Sequence, residues 1–141
     1  MEDLDRIDAD TLGRSMTGIG VNLLTRDVPG LAGFLTDIFA ARAHQVSADF
    51  AIVVSGSAPL QLHHDGTFAA HPLFDLLPED GVRGRAVQVY LFGVDPDAAA
   101  TRAEAADAWV VEAPADKPHG LREATILSPE GFAFTAAIGI P

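Results

Sequence analysis

The sequence predicts an α+β fold that is built from two βαβββ modules. The order of one strand, one helix and three strands occurs twice along the chain, about seventy residues apart, and such a period marks a repeated structural unit. Each predicted helix begins with an aspartate that is followed by a proline in the first turn, Asp27 with Pro29 and Asp95 with Pro96. A chain of 141 residues can bury one good core. We therefore expect an extension over residues 1–16 and a single domain over 17–141, with modules at about 17–80 and 84–141.

The composition indicates a folded chain and argues against several functions. Hydrophobic residues make up 48% of the chain and charged residues 21%, as in an ordinary globular domain. The formal net charge of −11 argues against nucleic acids and anionic membranes, because binding phosphates requires clustered Lys and Arg. No cysteine is present, which removes disulfides and thiolate metal sites. No apolar stretch approaches the roughly 20 residues that span a bilayer, and none at the start is typical of a signal peptide. We therefore expect a cytoplasmic protein.

Apolar spacing defines the elements of the first module. Ile19, Val21 and Leu23 alternate with small residues over 18–25, which predicts a strand with one buried face. The segment after Asp27 has apolar residues at helical spacing as far as Phe39. Three further strands are predicted around Gln45, over 50–55 and over 59–64. The loop 66–81 that follows is rich in Pro and Gly and should contain one helical turn near 73–77.

The second module repeats this order. An apolar strand over 86–94 leads into an Ala-rich helix from Asp95 to about Asp107, and strands are predicted over 109–112, 122–127 and 132–140. The last two strands form a hairpin across Ser128-Pro129-Glu130-Gly131. A ferredoxin-like α+β sandwich is the alternative, but it needs fewer strands than the sequence predicts.

Three segments carry a resemblance to a known family. They are Val21-Asn22-Leu23-Leu24-Thr25-Arg26-Asp27, Phe92-Gly93-Val94-Asp95-Pro96-Asp97-Ala98, and Gly120-Leu121-Arg122 with Ser128-Pro129-Glu130-Gly131-Phe132. In this order the segments resemble the vicinal oxygen chelate superfamily, which includes glyoxalase I, the extradiol dioxygenases and the bleomycin resistance proteins. The resemblance covers residues 17–140. It implies curved mixed sheets of four strands in each module, and the two modules form a cleft that holds a small molecule.

The positions that bind metal in such proteins lack metal ligands here. In metal-dependent members the ligands come from the first and fourth strands of each module, and the corresponding positions carry Gly20, Gln61, Val89 and Thr135. A divalent ion needs three or four His, Asp or Glu side chains, and only Gln61 offers a suitable oxygen. The resemblance therefore implies that the usual metal site is lost, and we expect neither a metal ion nor a cofactor.

Two strands have one bulky face and one small face. Gly18, Gly20 and Asn22 share the small face of the first strand, and Thr135 lies among alanines on that of the last. A face of small side chains leaves room for a ligand, or for another sheet or subunit. We expect a pocket in the cleft between the modules. Its expected ligand-binding residues are Gly20, Asn22, Gln61, His63, Phe68, Phe74, Val89, Leu91, Trp109 and Thr135.

These residues support three functional hypotheses. The first is a protein that binds an apolar or aromatic small molecule in the inter-module cleft without metal, with Phe68 and Phe74 as lid residues. The second is a metal-dependent lyase, isomerase or dioxygenase-like enzyme with a relocated site near Gln61, His63 and Asp65, in which His63 is the catalytic candidate. The third is a structural or regulatory homodimer whose cleft is filled by the partner. We expect a homodimer, and the sequence leaves open whether modules pair within a chain or across the dimer.

Overall fold

Two four-stranded mixed sheets form the framework of the computed structural model, which describes residues 3–141. The first sheet has the order β1-β4-β3-β2, with β1 at Asn22–Thr25, β2 at Arg42–His44, β3 at Phe50–Ser55 and β4 at Ala58–His64. The second has the order β5-β8-β7-β6, with β5 at Gln88–Phe92, β6 at Trp109–Asp116, β7 at Leu121–Leu127 and β8 at Ala133–Gly139. β1 runs parallel to β4 and β5 parallel to β8, whereas the other neighbours are antiparallel. The prediction of two βαβββ modules is confirmed, and the ferredoxin-like alternative is wrong.

Across the described residues, three α-helices complete the architecture: α1 at Ala9–Ser15, α2 at Val28–Phe39 and α3 at Pro96–Ala105. The side chain of Asp27 accepts a hydrogen bond from the backbone N–H of Gly30, and that of Asp95 accepts from those of Asp97 and Ala98, so both predicted N-caps are confirmed. Two short 3₁₀ helices, at Asp65–Phe68 and Pro72–Leu76, lie in the loop between the modules. Within residues 3–141 no helix is long and apolar enough to cross a membrane.

Several predicted boundaries are wrong by a few residues. β1 begins at Asn22 rather than at residue 18, because Gly18 has a φ of +73° and Ile19 is 97% exposed. β2 ends before Gln45, whose φ of +53° interrupts the extended chain. β6 continues past residue 112 to Asp116, with shifts in its register against β7 that mark β-bulges or irregular pairing.

The helices α2 and α3 lie between the two sheets. α2 packs against β2, β3 and β4 of the first sheet, and its Phe34 and Phe39 rings each lie 5.9 Å from the ring of Phe134 on β8. α3 packs against β6, β7 and β8 and against α2. Leu62 of β4, Leu91 of β5 and these aromatic residues belong to one continuous core. One face of each sheet therefore contributes to a shared core, and the two outer faces point away from each other.

Residues 3–16 of the N-terminal extension pack on the outer face of the first sheet. Leu12 of α1 forms a second, smaller apolar cluster with Ile52 and Val54 of β3. The side-chain amide of Gln45 donates hydrogen bonds to the carbonyls of Leu4 and Ile7. Residues 3–16, with α1 at their centre, therefore cover part of that face.

A buried arginine fixes the loop between the modules. Arg83 is 6% exposed, and its two terminal nitrogens donate to the two carboxylate oxygens of Asp65 at 2.7 Å each. The same guanidinium donates to the carbonyls of Leu24 and Pro78. The hydrogen bonds from Arg83 to the Asp65 carboxylate, above all, hold the pKa of Asp65 below its usual range. The loop is thus attached to the end of β1.

Candidate functional site

Asn22, Gln61 and His63 lie together on the outer face of the first sheet. Asn22 stands opposite Gln61 in the parallel register of β1 and β4, and His63 follows two residues later on the same face. Nδ1 of His63 lies 2.6 Å from the amide oxygen of Asn22. Because an amide oxygen only accepts hydrogen bonds, this contact assigns a proton to Nδ1, and in the neutral ring Nε2 is then an acceptor. Burial lowers the pKa of His63, which favours this neutral form.

A cavity of about 310 Å³ lies beside these residues, between α1 and β4. We call it the α1 cavity. Ile7, Leu12 and Phe50 provide apolar walls, and Gln61 and His63 provide polar groups. The ring of Phe50 lies 4.9 Å from that of His63, and the Phe68 ring lies 5.9 Å from it on another side. Apolar walls with a few placed polar groups are typical of small-molecule sites.

Thr135 lies on the outer face of the second sheet, among hydrogen-bonded polar side chains. The amide of Gln88 donates to the Thr135 hydroxyl at 2.7 Å, and the hydroxyls of Thr125 and Thr135 are 2.8 Å apart. Thr135 itself is fully buried. This residue therefore has its hydrogen bonds satisfied within the sheet.

Sequence reasoning missed a second polar group on the same face. Glu123 is 3% exposed, and its carboxylate accepts a hydrogen bond from the Tyr90 hydroxyl and lies 2.6 Å from Nε2 of His119. Burial and then the Glu123 charge raise the pKa of Tyr90, so its hydroxyl remains a donor. The signal that was available is the alternation of Leu121, Glu123 and Thr125 along one face of β7.

Val89 and Leu91 lie on the inner face of β5 rather than at a ligand cleft. Leu91 is 4% exposed in the shared core, and Val89 packs against that core. Gln88, Tyr90 and Phe92 alternate with them on the other face. We expected Val89 and Leu91 to line a pocket, which would place their side chains on the outer face of the sheet. They lie on its inner face instead.

The remaining predicted residues lie apart from one another. Gly20 precedes β1, and a Cβ atom added there would meet nothing within 4 Å. Phe68 packs between His63 and His71, whereas Phe74 is 38% exposed and lines a different cavity in the loop. Trp109 is 59% exposed at the start of β6. Within one chain the structure thus brings together Asn22, Gln61, His63 and Phe68, but not the rest of the set.

The side chains do not fit a metal ion at the position that the resemblance indicates. Gln61 and Thr135 lie on opposite outer faces, Val89 lies inside, and neither valine nor Gly20 has a donor atom. Within residues 3–141 no group of three His, Asp or Glu side chains is placed to hold an ion. Asp65 is engaged by Arg83, so the relocated group of Gln61, His63 and Asp65 is not assembled.

Comparison with known proteins identifies the fold. No family model matches the sequence, and no curated protein matches it closely enough to count as a relative. A glyoxalase/bleomycin resistance protein/dioxygenase family enzyme from Burkholderia phytofirmans PsJN is similar in structure, with a TM-score of 0.70 and 19% identity over 85% of this chain and 96% of that one. TioX from Micromonospora sp. ML1 has a TM-score of 0.63 and 21% identity, over 89% of this chain and 100% of that one.

A lactoylglutathione lyase from Agrobacterium tumefaciens has a TM-score of 0.64 and 17% identity, over 87% of this chain and 93% of that one. Identities this low establish the fold alone. The chain has the two-module glyoxalase/bleomycin resistance protein/dioxygenase fold. The fold that the sequence resemblance implied is therefore confirmed.

Proposed function

We propose that the protein binds an apolar or aromatic small molecule, without a metal ion, in the α1 cavity. The observation that supports this best is the composition of the cavity, in which Ile7, Leu12 and Phe50 surround the polar groups of Gln61 and His63. Burying apolar surface supplies most of the binding free energy, and the polar groups orient the ligand.

The free hydrogen-bonding groups define the ligand further. Within residues 3–141 the side-chain amide of Gln61 has no protein partner, and His63 uses only Nδ1, toward Asn22. Nε2 of His63 is therefore available to accept a hydrogen bond. A ligand with an aromatic ring and one hydroxyl or N–H donor matches this arrangement.

We also infer that a homodimer completes the inter-module cleft. Within one chain the outer faces of the two sheets point away from each other, so the chain does not form that cleft by itself. A second copy can place the outer face of its second sheet opposite Gln61 and His63, as a two-fold dimer allows. Analytical ultracentrifugation should then give twice the mass of 14.8 kDa, and a monomer would contradict the inference. The lack of cysteine supports a cytoplasmic location.

The binding proposal is tested with 2-naphthol, which combines an aromatic surface with one hydroxyl donor. We expect calorimetry to show saturable binding, with a loss of at least tenfold in affinity in His63→Ala and in Gln61→Leu. Thr101→Ala, on exposed α3 surface, is the control and should bind like the wild type. Unchanged affinity in both cavity variants would contradict the proposal. Elemental analysis that finds one tightly bound metal ion per chain would contradict its metal-free character.

A second candidate function is catalysis. One feature favours it: because Nδ1 of His63 contacts Asn22, Nε2 of the neutral ring is free beside the α1 cavity, where it can serve as a general base. Since the fold is shared with a lactoylglutathione lyase, formation of lactoylglutathione is the first reaction to assay, with and without added divalent metals. Turnover that His63→Ala abolishes would favour this candidate over stoichiometric binding. A cleft found filled by the partner's side chains would instead favour a structural dimer.

A further inference from the structure

A larger cavity, of about 500 Å³, lies between α2 and the start of β6. We call it the α2 groove. Gly30, Gly33 and Asp37 line it from α2, and Arg85 and Trp109 line it from the second module. A Cβ atom added at Gly33 would meet nothing within 4 Å, so the helix leaves open space there. The α2 groove shares no lining residue with the α1 cavity.

The aromatic wall of the α2 groove already attracts a positive charge. Trp109 is the only tryptophan in the chain and is 59% exposed. The guanidinium of Arg85 lies 5.3 Å from the centre of its ring, within the distance of a cation–π contact. The face of an indole ring is the best aromatic surface for a cation, and it also offers area for stacking.

The charges around the α2 groove favour a cation as well. Asp37 and Asp107 line it, and within residues 3–141 neither carboxylate has an ion-pair partner. Glu130 also lines the cavity, but its carboxylate is engaged by the hydroxyl of Thr25 and by Arg26. The α2 groove is therefore lined by two carboxylates without ion-pair partners and by one cation, Arg85, in a chain whose net charge is −11.

We propose that the α2 groove binds a planar aromatic cation, such as a protonated heteroaromatic amine. The ring of the ligand takes the place of the Arg85 guanidinium on the face of Trp109 and passes over Gly33, and its positive charge lies toward Asp37 and Asp107. The volume falls in the range of roughly 300–1,000 Å³ that is usual for small-molecule sites. This second site is separate from the one in the proposed function and does not depend on it.

Two acridines of the same size test the charge preference. 9-Aminoacridine is a planar cation at neutral pH, and acridine-9-carboxylate is its anionic counterpart. We expect 9-aminoacridine to quench the fluorescence of Trp109 with one saturable site per chain, and the carboxylate to bind at least tenfold more weakly. In the double variant Asp37→Asn/Asp107→Asn the two affinities should approach each other. Equal binding of both acridines to the wild type would overturn the proposal.

Filling the α2 groove tests its location. Gly33→Phe places a ring in the open space and should weaken 9-aminoacridine binding at least tenfold by calorimetry. Gly139→Phe is the matched control, since Gly139 is exposed at the end of β8 with nothing within 4 Å of an added Cβ atom. If circular dichroism shows that Gly33→Phe is unfolded, Trp109→Leu takes its place with the same expected loss. Unchanged affinity in the folded variant would overturn the proposal.

Discussion

Replacement of Asp65 by asparagine should destabilise the fold by about 2–3 kcal/mol at neutral pH. Asparagine keeps the size of the side chain and removes its charge, so the buried guanidinium of Arg83 loses its main counter-ion. Removing one partner of a buried ion pair typically costs about 3–5 kcal/mol. We expect less here, because the Asp65 side chain is 18% exposed and the carboxylate of Glu130 stays 3.9 Å from Arg83.

The same ion pair should also give a defined pH dependence. The hydrogen bonds from Arg83 lower the pKa of Asp65 in the folded state, whereas in the unfolded chain it returns to its ordinary value of about 3.9. The contribution to the free energy of unfolding is then complete above that value and disappears as the pH falls below it. The difference between wild type and Asp65→Asn should thus stay constant from about pH 7 to pH 5 and shrink below about pH 4.

Urea denaturation followed by far-UV circular dichroism is the suitable assay, because the single tryptophan is more than half exposed and reports poorly on the core. Asp65→Asn, Arg83→Met and the double variant form a double-mutant cycle. We expect a coupling free energy of at least about 1 kcal/mol, since the double variant no longer buries an unpaired charge. Additive single effects, or a loss of less than about 0.5 kcal/mol in Asp65→Asn, would refute the reasoning.

Three further predictions concern substitutions at four positions. Phe134→Ala should lower the free energy of unfolding by about 3–5 kcal/mol in urea denaturation, because its fully buried ring contacts two rings of α2. Gly33→Ala should raise it by about 0.5–1 kcal/mol, whereas Gly30→Ala should lower it, because its added methyl would collide with the capping side chain of Asp27. In thermal melts from pH 7 to pH 5, the wild type should lose stability relative to His63→Gln below about pH 6.5, since burial lowers the pKa of His63 and protonation favours unfolding.

Features that depend on neighbouring residues could be predicted from the sequence. The caps at Asp27 and Asp95 with their prolines, and the turn at 128–131, use hydrogen bonds and backbone preferences within a few positions. The meeting of Asn22 with Gln61 and His63 follows from the parallel pairing of the first and fourth strands, which the module itself specifies.

Features that depend on distant packing could not be predicted. Every residue of β5 from Val89 to Phe92 is largely apolar, so its alternation alone does not show which face is buried. The helices α2 and α3, one from each module, determine which face of β5 is buried, because they cover one face of the second sheet. Residues 18–21 alternate like a strand, but the structure pairs β1 with β4 only from Asn22 onward.

The polar group on the outer face of the second sheet could not be predicted for a similar reason. Glu123, Tyr90 and His119 come from two strands and a turn that only the pairing of the whole second sheet brings together. The packing of α1 on the first sheet could not be predicted either. The extension shows weak periodicity, and the residues that α1 contacts, Ile52 and Val54, lie far along the chain.

The contact of Phe34 and Phe39 with Phe134 makes the two halves of the chain dependent on each other. Either half produced alone would expose these rings to water, so neither is expected to persist as a folded fragment. The duplication visible in the pattern of strands and helices is therefore not a duplication of folding units. Heat or denaturant should unfold both halves in one cooperative step.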